Sequence, residues 1–395
     1  MNFIPFLLLS SLAWAAGLAI TRWIHSQYDL PVQALPKPWP SGAPAPVISV
    51  IVPARNEARN IRRCVQALLS QDYPNYELIV VDDRSTDATP QILDEILTEQ
   101  RKSIATTGRL KVIHSDEPPA GWAGKPHALA QGTGNVQGEW LCFVDADTFA
   151  GPHLLSGSLL TARSVQADLF TILTSQELGS FWEKTILPLV FTALSFGFPA
   201  KRVNDPCQAD AIANGQFILI RRAVYDAVGG HRAVRDQIAE DKALAQLVKR
   251  SGYRLFVADG RQVASTRMYT SFSEIWEGWT KNIFLGMRDR LGLLLFGAVI
   301  GLFAALALPF WQAGSLAWLA LSGSWQAALV VGQALTLWMY LLWLRVQASR
   351  AFHISPGYAL TLPLGALLFT AMMFASAFKI LSGRGVTWKG RRYAG

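Results

Sequence analysis

Apolar residues along this chain fall into two kinds of run, and the two predict different surroundings. Val47–Val52, Tyr76–Val81, Leu110–His114 and Trp140–Val144 are short and bounded by polar residues. Bounded runs of that length read as buried strands. Between them, Asn56–Gln71 and Thr89–Glu99 space their apolar residues as amphipathic helices do. Strand–helix alternation of this kind predicts an α/β fold over residues 47–285, with a mostly parallel sheet covered on both faces.

The second kind of run is long. Phe3–Ile20 carries no charge, and Leu291–Trp311, Trp325–Leu344 and Tyr358–Leu381 follow near the other end. A bilayer core takes about 20 apolar residues as a helix. A buried core helix is the plainer explanation of any one run, but the crowding of three within residues 291–381 argues for about three transmembrane helices. Residues 1–22 read as a retained anchor rather than a cleaved signal, because no basic stretch precedes the run and Ala13-Trp14-Ala15 lies inside it. A Pro-rich spacer with Pro31, Pro36, Pro38, Pro40, Pro44 and Pro46 fills 23–46, and a basic tail covers 382–395.

Two further aromatic stretches interrupt the globular part. Residues 179–199, broken by Pro188, fit a helix lying in the membrane interface and a buried core helix equally well. Ser271–Phe284, with Phe272, Trp276 and Trp279, leads straight into the first C-terminal run and reads as a second interfacial helix.

Composition supports an integral, multi-pass membrane protein: 51% of the 395 residues are hydrophobic and 16% are charged. The net charge of +8 gathers near the ends of the long runs, at Arg22, Lys281, Arg288, Arg290, Arg345, Arg350, Lys389, Arg391 and Arg392. That placement suits anionic head groups and the positive-inside rule; nothing in it resembles a nucleic-acid reader. With residues 22–290 in the cytoplasm, the uncharged stretch 312–324 lies outside and Arg345–His353 returns inside. A fourth full crossing then leaves the basic tail outside, against the rule; otherwise the last segment, with Pro363 and Gly365, does not fully cross. Both arrangements remain open. Cys64, Cys142 and Cys207 have no metal or redox spacing, and the first two read as core positions.

Candidate chemistry sits where the short runs end. Asp145-Ala146-Asp147 follows Trp140–Val144 and offers hard oxygens of the kind that hold Mg²⁺ or Mn²⁺ shared with a diphosphate. Arg55-Asn56-Glu57 and Asp82-Asp83 follow the first two strands. In an open α/β sheet such clusters converge outside the carboxyl ends of the strands. Glu240-Asp241 opens a helix running to Arg250, where helix capping and catalysis are both open roles.

Val-Pro-Ala-Arg-Asn-Glu at 52–57, Val-Asp-Asp-Arg-Ser-Thr-Asp at 81–87, Asp145-Ala146-Asp147 and Glu240-Asp241, in that order, resemble the family 2 glycosyltransferases of the GT-A fold. The resemblance spans roughly Ile48–Phe284. Gly124-Lys125-Pro126-His127, Asn214-Gly215-Gln216, Gly229-Gly230-His231, the Trp276–Asn282 stretch and Trp388–Tyr393 look like the membrane-bound subgroup that acts on polyisoprenoid lipids, including carotenoids and hopanoids. The resemblance implies substrate binding by Pro53, Arg55, Glu57, Asp83, Lys125, Asp145, Asn214, Gly215 and Glu240. Glu57 and Asp83 match the positions that hold uracil and ribose; Asn56 as a helix cap and Asp82 or Asp83 as turn residues are the alternatives. Asp87 suits a cap or a ligand equally. Lys125 suits a diphosphate partner and an exposed lysine equally.

By the same resemblance, Asp147 with Asp145 holds the divalent metal (Mn or Mg), and Asp241 is the general base of a single, inverting displacement. His231 follows the two glycines on a tight loop near that base. The Gln-x-x-Arg-Trp motif of processive synthases is missing: the comparable stretch reads Trp276-Glu277-Gly278-Trp279-Thr280-Lys281. The expectation is therefore transfer of one sugar from a nucleotide sugar, UDP-linked by the resemblance, to a hydroxyl of an isoprenoid lipid in the bilayer. A processive polysaccharide synthase and a nonenzymatic nucleotide-sugar-binding membrane protein are the competing readings.

Overall fold

The computed structural model describes Trp14, Gly17, Val32, residues 37–101, 108–134 and 136–382, and the backbone of 386–388 and 391–393. The expected anchor, most of the spacer and most of the basic tail lie outside the described residues.

Ten strands position the site: β1 (Ile48–Ala54), β2 (Tyr76–Asp82), β3 (Leu110–His114), β4 (Trp140–Phe143), β5 (Thr148–Ala150), β6 (Leu169–Leu173), β7 (Ser175–Gln176), β8 (Ile218–Arg221), β9 (Leu255–Asp259) and β10 (Ala264–Thr266). Seven of them form one sheet in the order β3-β2-β1-β4-β8-β6-β9, and β5-β10-β7 form a small second sheet. Within the large sheet only the pairings of β8 are antiparallel, so it is mostly parallel as expected. Residue alternation along β1 sends Ile48, Val50 and Val52 into one core and Ile51 into another. Both faces are covered, which is why the strands read as continuous apolar runs.

The longer helices of this part are α1 (Ile61–Leu69), α2 (Thr89–Arg101), α3 (Gly124–Gly132), α4 (Leu154–Ser164), α5 (Phe181–Gly197), α6 (Glu240–Arg250) and α7 (Phe272–Met287). α1 begins five residues later than the apolar spacing predicts. Asn56 takes a left-handed conformation (φ 52°), and Glu57–Asn60 is spent on turns before the helix starts. Cys64 and Cys142 are buried in the core that β1 shares with α1.

Three apolar helices complete the described chain: α8 (Leu291–Ser322), α9 (Trp325–Ala351) and α10 (Leu362–Leu381), the last preceded by a 3₁₀ turn at Pro356–Thr361. Each is long and apolar enough to cross a membrane. α8 contains a π segment at Phe303–Ala307, just before Pro309. A proline has no N–H and crowds the preceding turn, and a widened turn absorbs both defects. The uncharged 312–324 stretch, expected as an external loop, is helical through Ser322; only Gly323 (φ 57°) turns the chain. α9 likewise runs past Leu344, so Arg345 stands inside a helix and is buried, not at a wet membrane end.

α5 decides between its two expected surroundings in an unexpected way. Ile186, Leu187 and Val190 are buried, against a cluster that also holds Ile275 and Trp279 of α7 and Met372 and Met373 of α10. The helix is thus sandwiched between the sheet domain and the apolar helices.

Candidate active site

Strand register builds the site. β1 pairs with β2 so that Ala54 lies opposite Asp82, which carries Arg55 and Asp83 out of the sheet side by side. β4 stops at Phe143, opposite Ile51, so Val144–Asp147 curls under the end of β1. α6 brings Glu240 and Asp241 to the same edge, and the turn before β8 brings Gly215.

Around a narrow cavity of about 10 Å³ stand Pro53, Lys125, Asp145, Gly215, His231, Glu240 and Asp241. Lys125 is not a lone exposed lysine. Its Nζ lies 2.7 Å from Asp145 Oδ1 and 2.7 Å from Glu240 Oε1. Asp241 Oδ1 accepts the Lys242 amide at 2.7 Å, and Oδ2 accepts the Gly215 amide at 3.1 Å. A Cβ at Gly215 would lie 3.0 Å from Asp241 Oδ2, 3.1 Å from Lys125 Nζ and 3.3 Å from Asp145 Oδ2. A side chain there would press on all three groups, so the cluster would have to give by a few tenths of an ångström.

The charges divide accordingly. Burial would weaken the Lys125 ammonium, but Asp145, Glu240 and Asp241 outweigh it and keep the group protonated well above the usual lysine range. Burial, with Glu240 beside it, pushes Asp241 up to about 6. Burial also raises Asp145, against the pull of Lys125. In Glu240, by contrast, the Lys125 contact and the helix-terminal amide overcome burial and lower it. Lys125 thus bridges Asp145 and Glu240, and Asp241, outside that bridge, is left a weakened acid.

Arg55 and Glu57 serve a different part of the edge. Arg55 Nη1 donates to the carbonyls of Asp83 (2.7 Å) and Arg84 (3.0 Å), while Glu57 Oε2 accepts from Asn60 Nδ2 at 3.1 Å. Asp83 is buried in the same edge, its amide bonded to Ala54 O at 2.7 Å. Asn56 does not cap α1: its Oδ1 accepts the Thr86 amide at 2.8 Å, pinning the two loops together. Asp87 is a cap, taking the Thr89 amide at 2.9 Å and the Ala58 amide at 3.1 Å. Asn214 turns its side chain away from the acidic cluster, toward Ile172 O (2.9 Å) and Gln216 Oε1 (3.1 Å). It shapes the turn that presents Gly215.

His231 lies at the cavity wall with Nδ1 2.9 Å from the Tyr225 hydroxyl and its ring edge-on to Phe143. Burial drives it down to about 4, so it is neutral near pH 7. Lys281 of α7 escaped the sequence reading as a site residue. Burial lowers it to about 8, and the charges of Glu240, Asp241 and Asp145 act on it. Its signal was present: a lone cation in an aromatic helix, following directly on Trp279-Thr280.

Among the described residues no three His, Cys, Asp or Glu side chains are gathered into a metal cage. The carboxylates of Asp145 and Asp147 nonetheless fit a hard divalent ion that takes its remaining ligands from a diphosphate and water.

A mostly parallel sheet with one reversed strand places the domain in the GT-A fold. Residues 49–229 match the model of the family described as "Glycosyl transferase family 2". Over 353 residues, 88% of each protein, the chain is 26% identical to 4,4'-diaponeurosporenoate glycosyltransferase of Staphylococcus aureus strain USA300. In fold it is similar to the mannosyltransferase PcManGT from Pyrobaculum calidifontis, solved in complex with GDP-Man and Mn²⁺, with a TM-score of 0.52, 19% identity and coverage of 96% of this chain and 99% of that one.

Proposed function

We propose that the protein transfers one sugar from a nucleotide-diphosphate sugar to a hydroxyl of an isoprenoid membrane lipid, with inversion at the anomeric carbon. The observation that carries this reading is the environment of Asp241. Two backbone amides fix its carboxylate, and burial beside Glu240 gives it an acidity suited to a base near neutral pH. In this reading the acceptor oxygen attacks the anomeric carbon while its proton passes to Asp241. The bond from that carbon to the diphosphate breaks on the opposite side. Lys125 balances the leaving diphosphate, and Pro53, Arg55, Glu57 and Asp83 form the wall for base and ribose.

Asp147 with Asp145 would hold Mn²⁺ or Mg²⁺, which supplies Lewis-acid stabilisation of the leaving group. The fold neighbour's Mn²⁺ and GDP-Man support a metal and a nucleotide sugar in this class. Three apolar helices and the aromatic faces of α5 and α7 support a lipid acceptor reached from the bilayer; the cytoplasmic side for the catalytic domain is read from the placement of basic residues along the sequence.

The carotenoid acid in the relative's name raises a second acceptor chemistry. An ionised carboxylate needs no base, whereas an alcohol does. The test is a transfer assay on full-length protein in detergent, with labelled UDP- and GDP-sugars, Mn²⁺ or Mg²⁺, and alcohol and acid isoprenoids. Asp241→Asn should slow transfer to an alcohol by about 10²–10⁴-fold while leaving nucleotide affinity nearly intact. Undiminished turnover on an alcohol would remove Asp241 from the mechanism. A ladder of products would indicate a polymer synthase instead.

A further inference from the structure

Arg345 is a cation in the C-terminal third of α9, buried, with no carboxylate among its partners in the described residues. Cations in apolar helices are costly and persist where something specific holds them. Its Nη2 donates to Lys184 O at 2.6 Å and reaches Thr185 O at 3.5 Å, while Nη1 meets Ser349 Oγ at 3.3 Å. Both carbonyls belong to α5, a helix of the other part of the molecule.

The sequence explains why one of those carbonyls is open. Pro188 stands in the interior of α5, and residue 188 would ordinarily donate its N–H to the carbonyl of Lys184. Proline cannot, so Lys184 O is left to another donor, and Arg345 supplies it. α10 meets the same turn: a Cβ on Gly365 would lie 2.6 Å from Thr185 O. Two apolar helices therefore close on the one turn of α5 that proline has opened.

From that turn a short series of contacts leads to the acidic loop. Glu183, next to Lys184, is fully buried and completes the Ser180 capping box. Its Oε1 lies 3.2 Å from Arg267 Nε and its Oε2 3.3 Å from Arg267 Nη2. Gly179 lies so close that a Cβ there would be 2.2 Å from that guanidinium. Arg267 follows β10, and its amide donates to Asp147 O at 3.3 Å.

We propose that Arg345 is a positioning residue: by satisfying the carbonyl that Pro188 opens, it fixes α5, Glu183 and Arg267, and through them the Asp145–Asp147 turn. Donor binding at the sheet edge then depends on the docking of the apolar helices. This inference rests on the reading of that turn as the metal–diphosphate site.

The test is calorimetric titration of UDP and GDP, with Mn²⁺, into full-length protein in lipid nanodiscs. Wild type, Arg345→Met, Pro188→Ala and the double variant are compared. Arg345→Met should weaken Mn²⁺-nucleotide binding by about tenfold or more, the range seen when an outer support of a metal site is removed. Pro188→Ala restores an N–H for Lys184 O, so the double variant should recover most of the affinity. A merely structural role would lower the number of competent sites and leave their Kd unchanged; that result, or a double variant no tighter than Arg345→Met, overturns the proposal. If wild type binds neither nucleotide, the donor-site reading fails, and this inference falls with it.

Discussion

The sheet domain and the apolar helices bury opposite kinds of residue. In the sheet domain the interior is Ile, Val, Leu and Phe, as in Val50, Leu78, Leu219 and Phe170. In α8, α9 and α10 the buried positions include Ala304, Ala327, Ala334, Ser349, Thr370 and Ser376. Many of the large apolar side chains there face outward: Leu295 is 64% exposed, Phe310 73% and Leu321 89%, although Leu308, Val330 and Met372 are buried. Water drives the first arrangement. In lipid that drive vanishes, and small residues let helices approach while Leu and Phe meet the chains of the bilayer. The same hydrophobic composition thus has two meanings, and the candidate site residues gather at the sheet edge of the first region.

If the strand ends carry the chemistry, the smallest changes there should have the largest effects. Asp147→Ala should lower Mn²⁺-dependent nucleotide affinity by about a hundredfold or more, beyond the 10–100-fold typical of outer-shell losses, with little change in thermal unfolding. Titration of UDP and GDP with and without Mn²⁺ reads this directly; undiminished metal-dependent affinity would remove the aspartate from the clamp. Gly215→Ala adds one methyl group 3.0 Å from Asp241 Oδ2. Displacing reacting groups by a fraction of an ångström is expected to cost up to about a hundredfold in turnover, with secondary structure unchanged by circular dichroism.

The pH dependence sharpens the same contrast more gently. Asp241 is raised to about 6, and a base works only when unprotonated. For an alcohol acceptor, kcat/KM should therefore be level above about pH 7 and fall tenfold per unit as pH drops below about 6. An acid acceptor, already ionised, should give a profile that stays level through pH 6.

Much of the sheet was legible in the sequence because its strands are continuous apolar runs ending in Arg55, Asp83 and Asp145, where a parallel sheet gathers its ligands. What escaped depended on contacts between distant segments. Asp87 could not be told from a ligand until its bonds to Thr89 and Ala58 were seen. Lys125 gains its meaning only from Asp145 and Glu240. Arg345 counted as a membrane-end cation because hydropathy sets the length of a run but not where its helix stops. The carbonyl it serves, that of Lys184 opened by Pro188, belongs to a helix 161 residues earlier in the chain.

The weakest expected effect tests the comparison itself. Leu219 of β8 is fully buried between sheet and helices, and truncation to alanine should cost about 2–5 kcal/mol through lost burial and a residual cavity. Leu295 of α8 is an identical side chain, and composition alone would give it the same value. It points outward, however, and in lipid its removal leaves no cavity and unpairs no polar group. Leu295→Ala should therefore change the unfolding midpoint in nanodiscs by far less than Leu219→Ala. A comparable loss at Leu295 would mean that this face of α8 is covered by protein, and the apolar surface would then be an interface between chains. Equal tolerance at both positions would instead deny that β8 lies in a packed core, against the burial of its neighbours Ile218 and Ile220.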